Sequence, residues 1–247
     1  MKAIIFAAGL SSRLGELTKE LPKSCLAITK NQNMIERNLF LLIKNGFTDI
    51  TIITGHAKEA FAEIIAKQKI KINTIYNELY KERNNIYTAY LCKDILDEDT
   101  LILNSDLVLE EEIIKIAQKQ MQSSKESFML IDDFNQVDEE SMKVYVDENQ
   151  KITRVNKALN LEQSLGEYIG VLRISNEDKP CFIESMQSIL DKQEFNLYYE
   201  DAIDRASAKM NVHAISTQGK LWTEIDTLED LAKARELAKN LEAELKV

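Results

Sequence analysis

The chain has 247 residues, 45% of them hydrophobic, and a formal net charge of −10. That is enough apolar material for one large α/β domain, or for one domain with a small appendage. The acidic balance argues against a nucleic-acid partner, no run approaches the roughly 20 apolar residues that span a bilayer, and the scattered Cys25, Cys92 and Cys181 give neither a zinc spacing nor a disulfide framework.

Residues 3–6 are apolar throughout, as expected of a strand covered on both faces in a parallel sheet. The strand breaks into Ala7-Ala8-Gly9-Leu10-Ser11-Ser12-Arg13-Leu14, and the segment closes on Pro22-Lys23. Small side chains let a ligand approach the backbone, and Gly9 can take a positive φ at no steric cost. Arg13 offers a planar fork of donors for phosphate oxygens. Pro22 stiffens the chain before the compact charge of Lys23. Such a segment can hold a polyphosphate; read alone, it serves equally as a tight turn with solvated charges. It is neither a Walker loop nor a dinucleotide fingerprint.

The pattern then predicts a helix over 34–45, a strand over 50–54 ending at Gly55, a helix over 59–68 and a strand over 70–76. This is β-α-β-α-β with short links, and right-handed crossovers place helices on both faces. Asn84-Asn85 precede a helix over 86–96. A strand over 101–104 stops at Ser105-Asp106, followed by a helix over 110–122 and a strand over 128–131. After an acidic loop, 143–147 and 151–155 alternate like a β-hairpin. A strand over 168–174, helices over 182–190 and 199–209, and strands over 212–215 and 221–225 follow. Asp226-Thr227 caps a last helix over 228–246.

Asp106 follows an apolar strand, and open α/β sheets bind ligands at the carboxyl ends of their strands. Asp226 ends the run Glu224-Ile225-Asp226. Two such carboxylates suit Mg²⁺, which takes one or two protein carboxylates plus substrate phosphates; each alone also serves as a helix cap. Tyr168, Tyr198, Tyr199, Glu200, Asp201 and Trp222 supply the aromatic faces and carboxylates that hold ammonium groups. Each is equally an ordinary half-buried residue. His56 and His213 receive no catalytic role.

The stretch from Phe6 to Leu14, with Pro22-Lys23 beyond it, resembles the signature of nucleotidyltransferases of the sugar-phosphate and phosphocholine type. Ser11 stands where many members carry a second glycine. Several later segments are similar to the phosphocholine and 2-aminoethylphosphonate cytidylyltransferase branch. These are Asn77-Glu78-Leu79-Tyr80 with Asn84-Asn85, Lys157, Gly166-Glu167-Tyr168-Ile169-Gly170, Tyr198-Tyr199-Glu200-Asp201 and Trp222-Thr223-Glu224-Ile225-Asp226.

The resemblance implies a Rossmann-like, three-layer, mostly parallel α/β sheet of the nucleotide-diphospho-sugar transferase fold, with a β-hairpin and helical acceptor-binding insertion. It implies one domain over 1–247, with 1–131 mainly for the nucleotide, 132–220 mainly for the acceptor, and 221–247 carrying a metal aspartate and the C-terminal helix. The implied activity is Mg²⁺-dependent transfer from CTP to phosphocholine, 2-aminoethylphosphonate or a similar small acceptor. Arg13 and Lys23 would be catalytic. Ala7, Ala8, Gly9, Ser11, Ser12, Gly55, Asn84, Asn85 and Ser105 would bind nucleotide. Lys157, Glu167, Tyr199, Asp201, Trp222 and Glu224 would bind acceptor, and Asp106 and Asp226 the metal. A sugar-1-phosphate nucleotidyltransferase using UTP or dTTP is the alternative; a non-catalytic nucleotide-binding protein is a third reading. With no leader legible, a reducing cytoplasm is the expected setting, and a homodimer is left open.

Overall fold

The alternation of apolar strands and amphipathic helices winds a parallel sheet in the first half of the chain. In the computed structural model, which describes residues 1–244, four parallel strands lie side by side in the order β3-β2-β1-β4. They are β1 (Lys2–Ala7), β2 (Asp49–Thr54), β3 (Ile72–Tyr76) and β4 (Thr100–Asn104). Ala7 lies opposite Thr54, and Phe6 opposite Asn104. The loops that follow β1, β2 and β4 therefore open along one edge of the sheet.

β1 is apolar on both faces because both are covered. Ile4 and Phe6 enter one core layer, while Ala3, Ile5 and Ala7 enter the other. Helices α1 (Met34–Lys44), α2 (Phe61–Ala66) and α4 (Glu111–Ser123) feed the second layer. Helices α3 (Asn85–Tyr90), α5 (Lys179–Asp191) and α6 (Tyr199–Ala206) feed the first. A capping box starts α1, with Asn33 accepting from the Glu36 N–H and Glu36 reaching back to the Asn33 N–H. The expected helices over 59–68 and 86–96 are shorter than their patterns. A 3-10 turn precedes α2, and the chain beyond Tyr90 runs through turns.

One strand went unread in the sequence. β5 (Leu107–Leu109) follows Asp106 and pairs antiparallel with β11 (Trp222–Glu224) in a separate two-stranded sheet. It is short, buried throughout and shows no alternation, so it merged with the approach to α4. The large sheet continues through β6 (Ser127–Asp132), β7 (Lys143–Val146), β8 (Ile152–Asn156), β9 (Gly166–Arg173) and β10 (Val212–Ser216). β9 runs antiparallel between β4 and β6, and its start also pairs with β7, the first strand of the expected hairpin. The last helix, α7 (Leu228–Glu244), packs Leu231, Ala234 and Ala238 against Leu14, Val108 and Ile225. The remainder of the helix expected over 228–246 lies outside the described residues. Among the described residues no helix is long and apolar enough to cross a membrane.

Two glycines of the Gly-Glu-x-x-Gly stretch are steric requirements. A Cβ on Gly166 would clash with the Asp132 carbonyl of the neighbouring strand, and Gly170, at φ +84, lies where the β6–β9 register shifts. Gly9, by contrast, has open space around it. Gly166→Ala should therefore cost about 1–3 kcal/mol, the usual range for overpacking, while Gly9→Ala should leave stability close to wild type. Urea denaturation of both variants checks the contrast.

Candidate active site

The carboxyl ends of the parallel strands border a cleft of about 340 Å³. Ala7, Ala8, Gly9, Ser11, Arg13 and Lys23 line one side of it. The positive φ expected of Gly9 falls instead on Ser11, at φ 54, and on Gly15, at φ 57. The left-handed region favours glycine, so Ser11 holds a conformation in which a side chain is strained. The Thr18 hydroxyl donates to the Ser11 carbonyl at 2.9 Å, and the His56 ring lies 2.7 Å from the Thr18 carbonyl. These contacts brace the loop from outside.

Ser12 opens a 3-10 turn and does not border the cleft. Gly55 is likewise not a lining residue. A Cβ there would fall 2.5 Å from the Ala8 carbonyl, so its bareness lets the loops after β1 and β2 pack together. Asn84, Asn85 and Ser105 border the cleft as expected. Asn84 also donates to the Asn196 carbonyl, and Asn85 accepts from the Tyr199 N–H, so α3 is tied to the start of α6.

The β5–β11 pairing sets Leu107 opposite Glu224, and the Ile225 N–H donates to the Asp106 carbonyl at 3.0 Å. Two carboxylates more than a hundred residues apart in the chain thus meet. Lys23 Nζ lies 2.8 Å from Asp106 Oδ2 and 2.8 Å from Asp226 Oδ1, and the Arg13 guanidinium lies 2.7 Å from Asp226 Oδ2. Glu224, expected at the acceptor, stands with the aspartates instead: one oxygen from each of Asp106, Glu224 and Asp226 falls within 4.8 Å of the others.

Burial alone would lower the pKa of the Lys23 ammonium, but Asp106, Asp226 and Glu224 outweigh it and hold the group above its ordinary value. Burial also works against the Asp226 carboxylate, yet Lys23 and Arg13 keep its pKa below the usual range. Glu224 goes the other way. Burial and the neighbouring Asp106 and Asp226 push its pKa well up, against the pull of Lys23. Asp106 Oδ1 is sealed from solvent and receives no hydrogen bond. An all-oxygen donor set with an unpartnered carboxylate oxygen fits a hard divalent cation such as Mg²⁺.

Lys157, Glu167, Tyr168, Tyr198 and Glu200 also line the cleft, and Lys157 and Glu167 lie close enough to the carboxylate cluster to act on Asp226 and Glu224. Lys157 Nζ lies 5.7 Å from the Tyr198 ring centroid and 3.9 Å from Glu140. Its backbone is held by Lys143, only 2% exposed, whose ammonium donates to the carbonyls of Lys157 and Glu139. No motif points to Lys143; its place in an alternating hairpin strand hid it. Burial, with the nearby Asp201 charge, pushes the Glu200 carboxyl up to about 8. Glu200 belongs to the Tyr-Glu-Asp stretch whose composition suits an ammonium group.

Three expected acceptor residues lie off the cleft lining. Tyr199 is fully buried, its hydroxyl paired with the Tyr168 hydroxyl and donating to Asn104 Oδ1. Asp201 accepts from the Tyr198 N–H at 2.7 Å and from the Asn156 amide at 2.8 Å, closing the start of α6. The Trp222 indole donates to Asp132 Oδ2 at 2.7 Å, and its ring packs on the core. Aromatic and acidic side chains in a row looked like a binding box; their polar atoms are spent inside the protein.

A family model described as nucleotidyl transferase matches residues 2–156. Over 245 residues the chain is 28% identical to a choline-phosphate cytidylyltransferase of Streptococcus pneumoniae, covering 97% of this chain and 99% of that protein. It is 34% identical over 113 residues to a 2-aminoethylphosphonate cytidylyltransferase of Lancefieldella rimae, covering 45% of each. The solved structure of CTP:phosphocholine cytidylyltransferase from Streptococcus pneumoniae matches with a TM-score of 0.78 at 22% identity, over 96% of this chain and 98% of that one. That likeness shows the fold.

The raised Glu200 carboxyl makes stability depend on pH. The folded chain keeps that proton up to about pH 8, whereas an unfolded glutamate loses it near 4.3. Between those values the folded state binds more protons, so this group's contribution falls as pH rises. Glu200→Gln should lack the trend. From pH 5 to 8, wild type should lose stability relative to the variant by up to about 1.4 kcal/mol per pH unit, the linkage of one proton, as read by urea denaturation at each pH.

Proposed function

The chain belongs to the nucleotidyl transferase family and is an enzyme of that class, and from there we propose that it is a Mg²⁺-dependent cytidylyltransferase. It joins CTP to a small phosphate or phosphonate acceptor of the phosphocholine or 2-aminoethylphosphonate type. An acceptor oxygen attacks the α-phosphorus, the bond from that phosphorus to the oxygen bridging to the β-phosphate breaks, and pyrophosphate leaves. The observation that carries the reading is Lys23, held between Asp106 and Asp226 where they border the cleft that also holds Arg13 and Lys157.

An acceptor oxyanion needs no strong base, so catalysis reduces to positioning and charge. The loop after β1 would cradle the triphosphate with its backbone, Arg13 gripping the outer phosphates through its fork. Lys23 would meet the charge that builds at the α-phosphate. Lys157 would draw in the acceptor phosphate, with Lys143 fixing its backbone. Asp106 and Asp226, with Glu224 beside them, would hold Mg²⁺, which when bound neutralises phosphate charge. The choice of CTP is supported by the named activities of the relatives. Glu167 and Glu200, with Tyr80, Tyr168 and Tyr198 lining the same cleft, support a cationic acceptor over a neutral sugar. In this reading 1–131 serve mainly the nucleotide, 132–220 mainly the acceptor, and the setting is the cytoplasm.

A pyrophosphate-release assay with Mg²⁺, crossing CTP, UTP, dTTP and ATP with phosphocholine, 2-aminoethylphosphonate and glucose 1-phosphate, tests this. Turnover is expected with CTP and the cationic acceptors. Release with UTP and the hexose phosphate, and not with CTP, would overturn it. Lys23→Ala and Asp106→Ala should each lose about 10²–10³ in kcat, as when one transition-state donor is removed, with unchanged circular dichroism.

A further inference from the structure

Arg83 lines the cleft and is half-buried. Its guanidinium lies 4.7 Å from the Tyr87 ring centroid and 4.3 Å from that of Phe195. Both rings pack against the core, and the Arg83 N–H donates to the Leu79 carbonyl at 2.9 Å, which closes its turn. Stacking on aromatic faces fixes a guanidinium through its plane and leaves its N–H edge available.

That edge is unspent. Arg13, Arg154 and Arg205 meet carboxylates. Arg37, Arg173 and Arg235 donate to backbone carbonyls. Among the described residues Arg83 is the one arginine whose guanidinium does neither, and aromatic rings are its partners. A guanidinium held in a cleft with its donors unpaired suits an oxyanion from solution, and a carboxylate matches it with two parallel hydrogen bonds.

The phosphates have other cations. Lys23, Arg13 and Lys157 all act on Asp226, so they belong with the carboxylates beside which the phosphorus would react. The turn of Arg83 is tied to a different segment. The Asn84 N–H donates to the Phe195 carbonyl at 2.8 Å and the Asn84 amide to the Asn196 carbonyl at 3.0 Å, on the approach to α6.

We propose that the acceptor carries a carboxylate besides its phosphate or phosphonate, and that Arg83 binds it. This rests on the cytidylyltransferase reading above and adds one charged group to its acceptor. The substrate class is then a phosphorylated amino acid or its phosphonate counterpart.

Matched pairs that differ by one carboxylate test the proposal in wild-type enzyme with CTP and Mg²⁺. They are phosphoethanolamine against O-phosphoserine, and 2-aminoethylphosphonate against 2-amino-3-phosphonopropionate, with phosphocholine alongside. The pair that is turned over identifies phosphate or phosphonate as the source. Within it kcat/KM should be about 10- to 100-fold higher for the carboxylated member, as expected for charge-assisted hydrogen bonds. Arg83→Gln should abolish that preference, mainly through acceptor KM, and Arg83→Lys should keep part of it. CTP affinity by calorimetry should be unchanged in both variants, which also reports that they are folded. Equal or poorer use of the carboxylated members, a preference for phosphocholine, or a preference that survives in Arg83→Gln overturns the proposal and leaves the CTP reading intact. Turnover of none of the five compounds with CTP overturns both.

Discussion

The ammonium of Lys23, 2.8 Å from both Asp106 and Asp226, is the contact on which the site depends. Like charges brought together away from water are tolerated only when a counter-charge is placed among them. The cation arrives on the loop after β1, and the anions on the loop after β4 and at the end of β11. That convergence requires β1 and β4 to end level, which their register ensures, and β11 to be carried back to β5. α7 then packs over the join, with Leu14 from the first loop, Val108 from β5 and Ile225 from the last segment in one cluster.

Much of this was legible in the sequence. A strand apolar on both faces can only be central, and the run from Phe6 to Leu14 with Pro22-Lys23 carries its chemistry in its residue types. Asp106 could be placed because it ends an apolar strand, and Asp226 because it ends a strand and precedes the last helix. What was hidden depended on pairing. β5 has no period of its own, and only its partner defines it. Without β5, Glu224 could not be seen to join the aspartates. Backbone conformation was hidden too: the loop's left-handed residue is Ser11, and Gly9 looked the better candidate because glycine is cheap there.

The acceptor side shows a different limit. Tyr199, Asp201 and Trp222 have the composition of an ammonium site, yet composition does not say where polar atoms point. Each finds an internal partner, which is the usual fate of buried polar groups. Glu200 differs in one atom: its Oε2 is sealed from solvent and receives no hydrogen bond. Lys143 makes the same point in reverse. A buried lysine reads as an error of patterning until its ammonium is found capping the carbonyls that position Lys157.

The triphosphate and the proposed acceptor make opposite demands on one cleft. An acidic chain repels a triphosphate at long range, so positive charge must be concentrated where the polyanion binds. Arg13 and Lys23 do that, but both are paired with aspartates, so the two cations face two anions. A triphosphate needs more positive charge than that balance leaves, which is the electrostatic reason the proposed reaction calls for Mg²⁺. Glu167 and Glu200 line the same cleft, and burial raises the pKa of both carboxyls. The proposed acceptor is anionic at the phosphorus and cationic at the amine, and Lys157 lines the same cleft as those glutamates.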